Sequence, residues 1–127
     1  MMTEARCRCN AVTCRVDGTP LRCGICHCLD CRRRTGAPFV VFVVFRSSDV
    51  IVTGATKQVE SRTDRREACA ACGSVMLWAD DDAQEIELYA GHFPSAGLFA
   101  PGYEVWTQRR EPWLPPLPIP QYPRDRR

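Results

Sequence analysis

Cysteine grouping constrains this chain more than any other feature. Nine cysteines are present, seven of them between positions 7 and 31, and the other two return together as Cys69 and Cys72. The spacings are C-x-C at Cys7/Cys9, C-x-x-C-x-C-x-x-C through Cys23, Cys26, Cys28 and Cys31, and C-x-x-C-G at Cys69/Cys72/Gly73. Thiols this dense and this closely paired point to metal thiolates or to disulfides. The compartment decides between them. The start, Met1-Met2-Thr3-Glu4, lacks the apolar region of a secretory signal. The longest apolar run, 37–45, contains Pro38 and is too short to span a bilayer as a helix. A cytoplasmic location is therefore expected, with no membrane partner, and there paired cysteines hold metal more often than they form structural disulfides.

A chain of 127 residues suits one domain that buries roughly two thirds of its unfolded surface. The expected organisation is a single zinc-binding β domain over 1–123, including a proline-rich C-terminal cap, with 124–127 as a frayed tail. The formal charge is only +2 and there is no large basic tract, so a nucleic-acid partner is not expected. The local groups Arg32–Arg34, Arg65–Arg66 and Arg109–Arg110 read as solvated faces that could also meet a small carboxylate ligand.

Residues 11–16 read as a strand with Val12, Cys14 and Val16 on one face. Asp17-Gly18 signals a turn, and 21–25 reads as its return strand, which would bring two cysteine groups to one end of a hairpin. Residues 29–35, followed by Gly36, suit one or two helical turns ending at glycine. Further strands are expected over 39–45, 50–53, 56–62, 75–79, 85–89 and 103–108, with an Asp80-Asp81-Asp82 turn between two of them. Intervals this short do not accommodate repeated parallel strand–helix–strand units, so the expected class is mainly β, built from short antiparallel strands. The run 112–120, rich in proline, favours an extended tail laid over an apolar surface.

Cys7, Cys9, Cys69 and Cys72 make a natural four-thiolate zinc set, with Cys69-Ala70-Ala71-Cys72-Gly73 shaped like a zinc knuckle. Buried thiols or a labile disulfide are the alternatives. The middle group admits two arrangements: a closed site in which Cys23 joins Cys26, Cys28 and Cys31, or an open three-thiolate site that leaves a position for chemistry. His27, between two candidate ligands, suits a hydrogen-bonding role better than ligation. Cys14 reads as a small core residue.

Together, Cys7-x-Cys9, Cys26-His27-Cys28-x-x-Cys31-Arg32 with Thr35-Gly36, and Cys69-x-x-Cys72-Gly73 resemble the glutathione-dependent formaldehyde-activating enzyme family, which includes centromere-protein-V-like domains. Residues 86–91 and 111–114 share the resemblance, while Asn10 stands where the family generally has glycine. The resemblance implies a compact β-tent-like fold with two zinc ions. Cys7, Cys9, Cys69 and Cys72 would hold the structural zinc; Cys26, Cys28 and Cys31 would hold the catalytic one, with Cys23 as a possible additional ligand. It also implies a zinc-dependent carbon–sulfur lyase-type enzyme acting on a small thiol and aldehyde or their adduct. The implied reaction is formation of S-(hydroxymethyl)glutathione from formaldehyde and glutathione. The cross-class alternative is a non-catalytic, zinc-stabilised interaction module.

Overall fold

A computed structural model describes residues 2–59, 64–79 and 84–126. In chain order the described elements are β1 (Met2–Arg6), β2 (Thr13–Asp17), β3 (Arg22–Cys26), α1 (Leu29–Thr35), β4 (Val40–Arg46), β5 (Val50–Thr53), β6 (Thr56–Gln58), β7 (Arg65–Cys69), β8 (Val75–Ala79), β9 (Glu85–Tyr89) and β10 (Glu104–Val105). Short 3-10 turns occupy Ser47–Asp49, Ala90–His92 and Thr107–Arg109. The fold is mainly β, as expected. One sheet has the order β1-β2-β5 and the other β10-β3-β4-β9-β8-β7-β6. Among the described strands, all pairings are antiparallel except that of β10 with β3.

The expected 11–25 hairpin does not form. Asp17 pairs with Met2 in the small sheet, whereas Arg22 pairs with Val44 in the large one, so the chain changes sheets across the Asp17-Gly18 turn. The physical reason is burial. β2 alternates buried Cys14 and Val16 with exposed Arg15 and Asp17, which suits a sheet with one wet face. Residues 23–26 of β3 are all buried, which suits an interior strand of the larger sheet. The Asp80–Asp82 turn lies outside the described residues, as do residues 60–62 of the strand expected over 56–62.

Parity along β4 divides the core into two faces, because successive strand side chains point to opposite sides. Val43 and Phe45 pack with Val12, Cys14, Val16, Leu77 and Leu88 between the two sheets. Val40, Phe42 and Val44 pack on the other side with Cys26, Tyr103 and Val105. Cys14 is fully buried in the first cluster, in keeping with its expected core role. Phe45 is also fully buried, and a side chain of this kind contributes about 1.5–3 kcal/mol through removal from water.

The strand expected over 103–108 is cut to Glu104–Val105, because Trp106 turns into the left-handed region at φ 57°. The proline-rich tail is tied down by polar contacts rather than by its exposed Trp113 and Leu117. The Glu104 amide donates to the Pro120 carbonyl at 3.0 Å, and the Tyr122 amide donates to the Glu104 carbonyl at 2.9 Å. Residues 124–126, set apart from the sequence as a frayed end, are also held. The Trp106 amide donates to the Arg124 carbonyl at 2.9 Å, the Trp106 indole donates to Asp125 Oδ1 at 2.9 Å, and Arg126 lies 5.0 Å from the centre of the Tyr103 ring.

Candidate metal centres and cleft

Cys7 and Cys9 sit in the turn between β1 and β2, while Cys69 ends β7 and Cys72 follows in the next turn. Asn10 closes the first turn at φ 67°, a conformation glycine or asparagine tolerates better than most residues, and Gly73 closes the second at φ 81°. These turns bring the four sulfurs within 4.8 Å of one another. The Cys7–Cys9 and Cys9–Cys69 sulfur separations are 3.6 and 3.7 Å. Tetrahedral zinc with bonds of about 2.3 Å sets its sulfurs about 3.8 Å apart, whereas a disulfide needs about 2.05 Å. The donor set therefore fits zinc, and all nine cysteines are free thiols.

Backbone amides also point at the sulfurs. Val12 N donates to Cys7 Sγ at 3.2 Å, and Ala71 N and Cys72 N approach Cys69 Sγ at 3.4 Å each. The Ser74 hydroxyl helps to hold the Cys72 thiol down at about 5. For Cys7, burial opposes ionisation, but the Val12 amide and neighbouring thiols outweigh it and its pKa falls. Two of the four thiols are thus biased towards thiolate, the form that binds metal, while Cys9, despite the Ala11 amide, is pushed up to about 11 by its neighbouring thiols and by burial.

The second group is built across the β3–α1 junction. Cys26 ends β3; Cys28 caps α1, its sulfur accepting from Cys31 N at 3.3 Å. The i,i+3 spacing of Cys28 and Cys31 brings their side chains to one side of the helix start. Gly36 ends the helix at φ 75°, its amide donating to the Arg32 carbonyl at 2.8 Å. The three sulfurs lie within 4.8 Å of one another and could hold a metal ion. Hydrogen bonds from Cys26 and Cys31 lower Cys28 to about 2, while the same contacts and burial push Cys26 up to about 12 and raise Cys31. One negative charge is thus shared among three sulfurs, and a bound cation would favour ionisation of the others.

Cys23 is not brought together with this group. It is three residues before Cys26 on a strand and therefore faces the opposite side, among Val43, Phe45 and Leu88. Burial raises its pKa. His27 also turns away from the sulfurs. Fully buried, it meets Glu104 Oε1 through Nε2 at 2.7 Å, and its ring lies 5.8 Å from that of Phe39.

Glu104 is the buried carboxylate behind the inner sulfur group that the sequence reading missed. Its Oε2 accepts from Leu117 N at 2.9 Å and from Gln121 Nε2 at 2.8 Å, and Arg110 lies 3.4 Å from Oε1. Burial alone would raise its pKa, but donors from Gln121, His27 and Leu117 outweigh that and hold it at about 2. The only sequence signal was a lone carboxylate inside the apolar run Tyr103-Glu104-Val105-Trp106.

Cys26 and Cys31 edge a cleft of about 830 Å³, whose other walls include Arg22, Tyr103, Trp106 and Arg126. Arg32–Arg34, candidates from sequence for a substrate carboxylate, do not line it. Arg32 pairs with Glu111 at 2.5 Å and Arg34 pairs with Asp30. No helix among the described residues is long and apolar enough to cross a membrane.

A family model described as "Glutathione-dependent formaldehyde-activating enzyme" matches residues 2–109. A crystal structure of a Rhodobacter sphaeroides protein is similar to this chain with a TM-score of 0.54 and 25% identity, over 76% of this chain and 90% of that one. Among curated proteins, none matches.

Proposed function

Because the chain belongs to the glutathione-dependent formaldehyde-activating enzyme family, we propose that it is a zinc-dependent carbon–sulfur lyase-type enzyme for a small thiol, an aldehyde and their adduct. The specific reaction is reversible formation of S-(hydroxymethyl)glutathione from formaldehyde and glutathione. The observation that carries this reading is the convergence of Cys26, Cys28 and Cys31 at a cleft while Cys23 faces the other side of its strand. Three protein sulfurs without a fourth support an open site; the outer four-sulfur group supports a closed, structural one.

A zinc ion held by Cys26, Cys28 and Cys31 would supply Lewis-acid stabilisation of a substrate thiolate near neutral pH. The remaining work is positional. The cleft walls hold the thiol and the aldehyde within reach, and such orientation can account for several kcal/mol of barrier lowering. In the forward direction the substrate sulfur's electron pair forms the carbon–sulfur bond, the carbonyl π pair moves to oxygen, and the proton released by the thiol ends on that oxygen. Cys26, Cys28 and Cys31 act as ligands rather than nucleophiles. The nine free thiols suit a reducing, cytoplasmic setting.

Two-dimensional exchange NMR on formaldehyde with glutathione or other small thiols tests the reading. Zinc-loaded protein is expected to accelerate adduct exchange, and Cys28→Ser to return it to the uncatalysed rate while the fold survives. Full metal content with no acceleration for any thiol would favour the non-catalytic module instead.

A further inference from the structure

We propose that Arg124 and Arg126 select the substrate of the Cys26/Cys28/Cys31 site by binding a carboxylate remote from the reacting sulfur. The inference rests on that site being the reacting one, and it assigns recognition to a segment outside every cysteine motif.

The cleft is lined by three arginines and three acids: Arg22, Arg124 and Arg126 against Glu85, Glu87 and Asp125. Most of these charges are engaged. Arg22 binds Glu85 through two contacts of 2.7 and 3.3 Å. Asp125 accepts the Trp106 indole N–H, and Glu87 is also engaged. Arg124 and Arg126 differ: among the described residues neither side chain makes a hydrogen bond or a close ion pair, although Arg126 lies near enough to Glu85 to help lower its pKa. Arg126 touches the Tyr103 ring through its guanidinium carbon, which leaves its N–H donors available.

The backbone that leads to them, by contrast, is fixed as far as Arg124. Thr107 N donates to the Tyr122 carbonyl at 3.1 Å, Gln108 N to the Pro123 carbonyl at 3.4 Å, and Trp106 N to the Arg124 carbonyl at 2.9 Å. Two guanidinium groups with no hydrogen-bonded acceptor among the described residues are therefore carried into the cleft on an anchored segment, which reduces the ordering cost of binding. Guanidinium matches carboxylate through paired N–H donors. A volume of about 830 Å³ is large for a two-carbon thiol but suits a peptide-sized one whose carboxylate lies several bonds from sulfur.

The test uses the full zinc-loaded chain and two readouts. In the first, S-methylglutathione, whose sulfur is blocked, and its diamide are titrated while the Trp106 indole N–H is followed by NMR. The diacid is expected to bind about tenfold more tightly than the diamide, and Arg124→Gln with Arg126→Gln to erase that difference while the fold is retained. In the second, exchange NMR with formaldehyde compares glutathione with its diamide. The double variant should raise KM about tenfold for the acid alone and leave kcat unchanged. Undetectable diacid binding, equal affinity for diacid and diamide, or equal KM losses for both thiols would overturn the inference. Absence of exchange with every thiol, alongside the expected binding difference, would instead overturn the enzymatic reading and leave the arginine site standing.

Discussion

Glu104 shows how a single buried charge can organise two parts of the chain. One oxygen meets His27, between the candidate ligands Cys26 and Cys28, and the other accepts from Leu117 N and Gln121 in the tail. Glu104→Ala would leave a buried imidazole, an amide and a carboxamide without their partner, so a loss of about 3–5 kcal/mol is expected in chemical denaturation. The charge also gives a signed pH dependence. The folded pKa of about 2 lies below the ordinary 4.5, so the carboxylate stabilises the fold fully above that ordinary value. About 3 kcal/mol is then lost as pH falls from 4.5 through about 2. Unfolding midpoints at about pH 7 and about pH 3 check this: wild type should lose more stability than Glu104→Gln across the interval. Asn10 carries a smaller expectation. At φ 67°, Asn10→Gly should be neutral or stabilising, whereas Asn10→Val should cost about 1–2 kcal/mol by the same denaturation assay.

At the scale of elements, the β3–α1 junction places the inner group of sulfurs. Gly24 lies on the same face of β3 as Cys26, and a Cβ there would meet Phe42 Cζ at 2.6 Å and Tyr103 Cε2 at 3.1 Å. Gly24→Ala should therefore cost about 1–3 kcal/mol and disturb the cleft wall, detectable as a lower Tm with perturbed Tyr103 ring resonances. Much of this element level was legible in the sequence. The helix ending at Gly36 and the valine-rich strand followed from local spacing; the outer sulfur group was read by joining two distant cysteine pairs, and for the inner group local spacing left open whether Cys23 joins. The sheet assignment was not legible, because Asp17-Gly18 signals a turn without specifying which strand edge the chain meets next. β1 and β7 were missed for a related reason: Met2–Arg6 and Arg65–Cys69 lack apolar alternation and are strands through pairing with β2 and with β6 and β8. Strand parity did contain an answer about Cys23, since residues 23 and 26 must face opposite sides; only the observed extent of β3 makes that rule applicable.

Across the whole molecule, the two sulfur groups occupy different structural situations. The outer one joins the turn after β1 in the small sheet to the end of β7 in the large one, so it links elements distant in sequence. The inner one joins neighbouring elements beside the cleft. If metal holds the sheets together, Cys72→Ser should lose one zinc per chain and much of its thermal stability, whereas Cys28→Ser should lose the other zinc and retain the fold. Metal analysis paired with calorimetry distinguishes those outcomes. The central claim, one closed site and one open, is read most directly by zinc-edge X-ray absorption on the reduced wild-type protein. The expected result is two zinc ions sharing seven sulfur ligands, four at one and three at the other, with a lighter atom completing the second. Eight sulfurs, with Cys23 joining the inner group, or a single bound ion would contradict it.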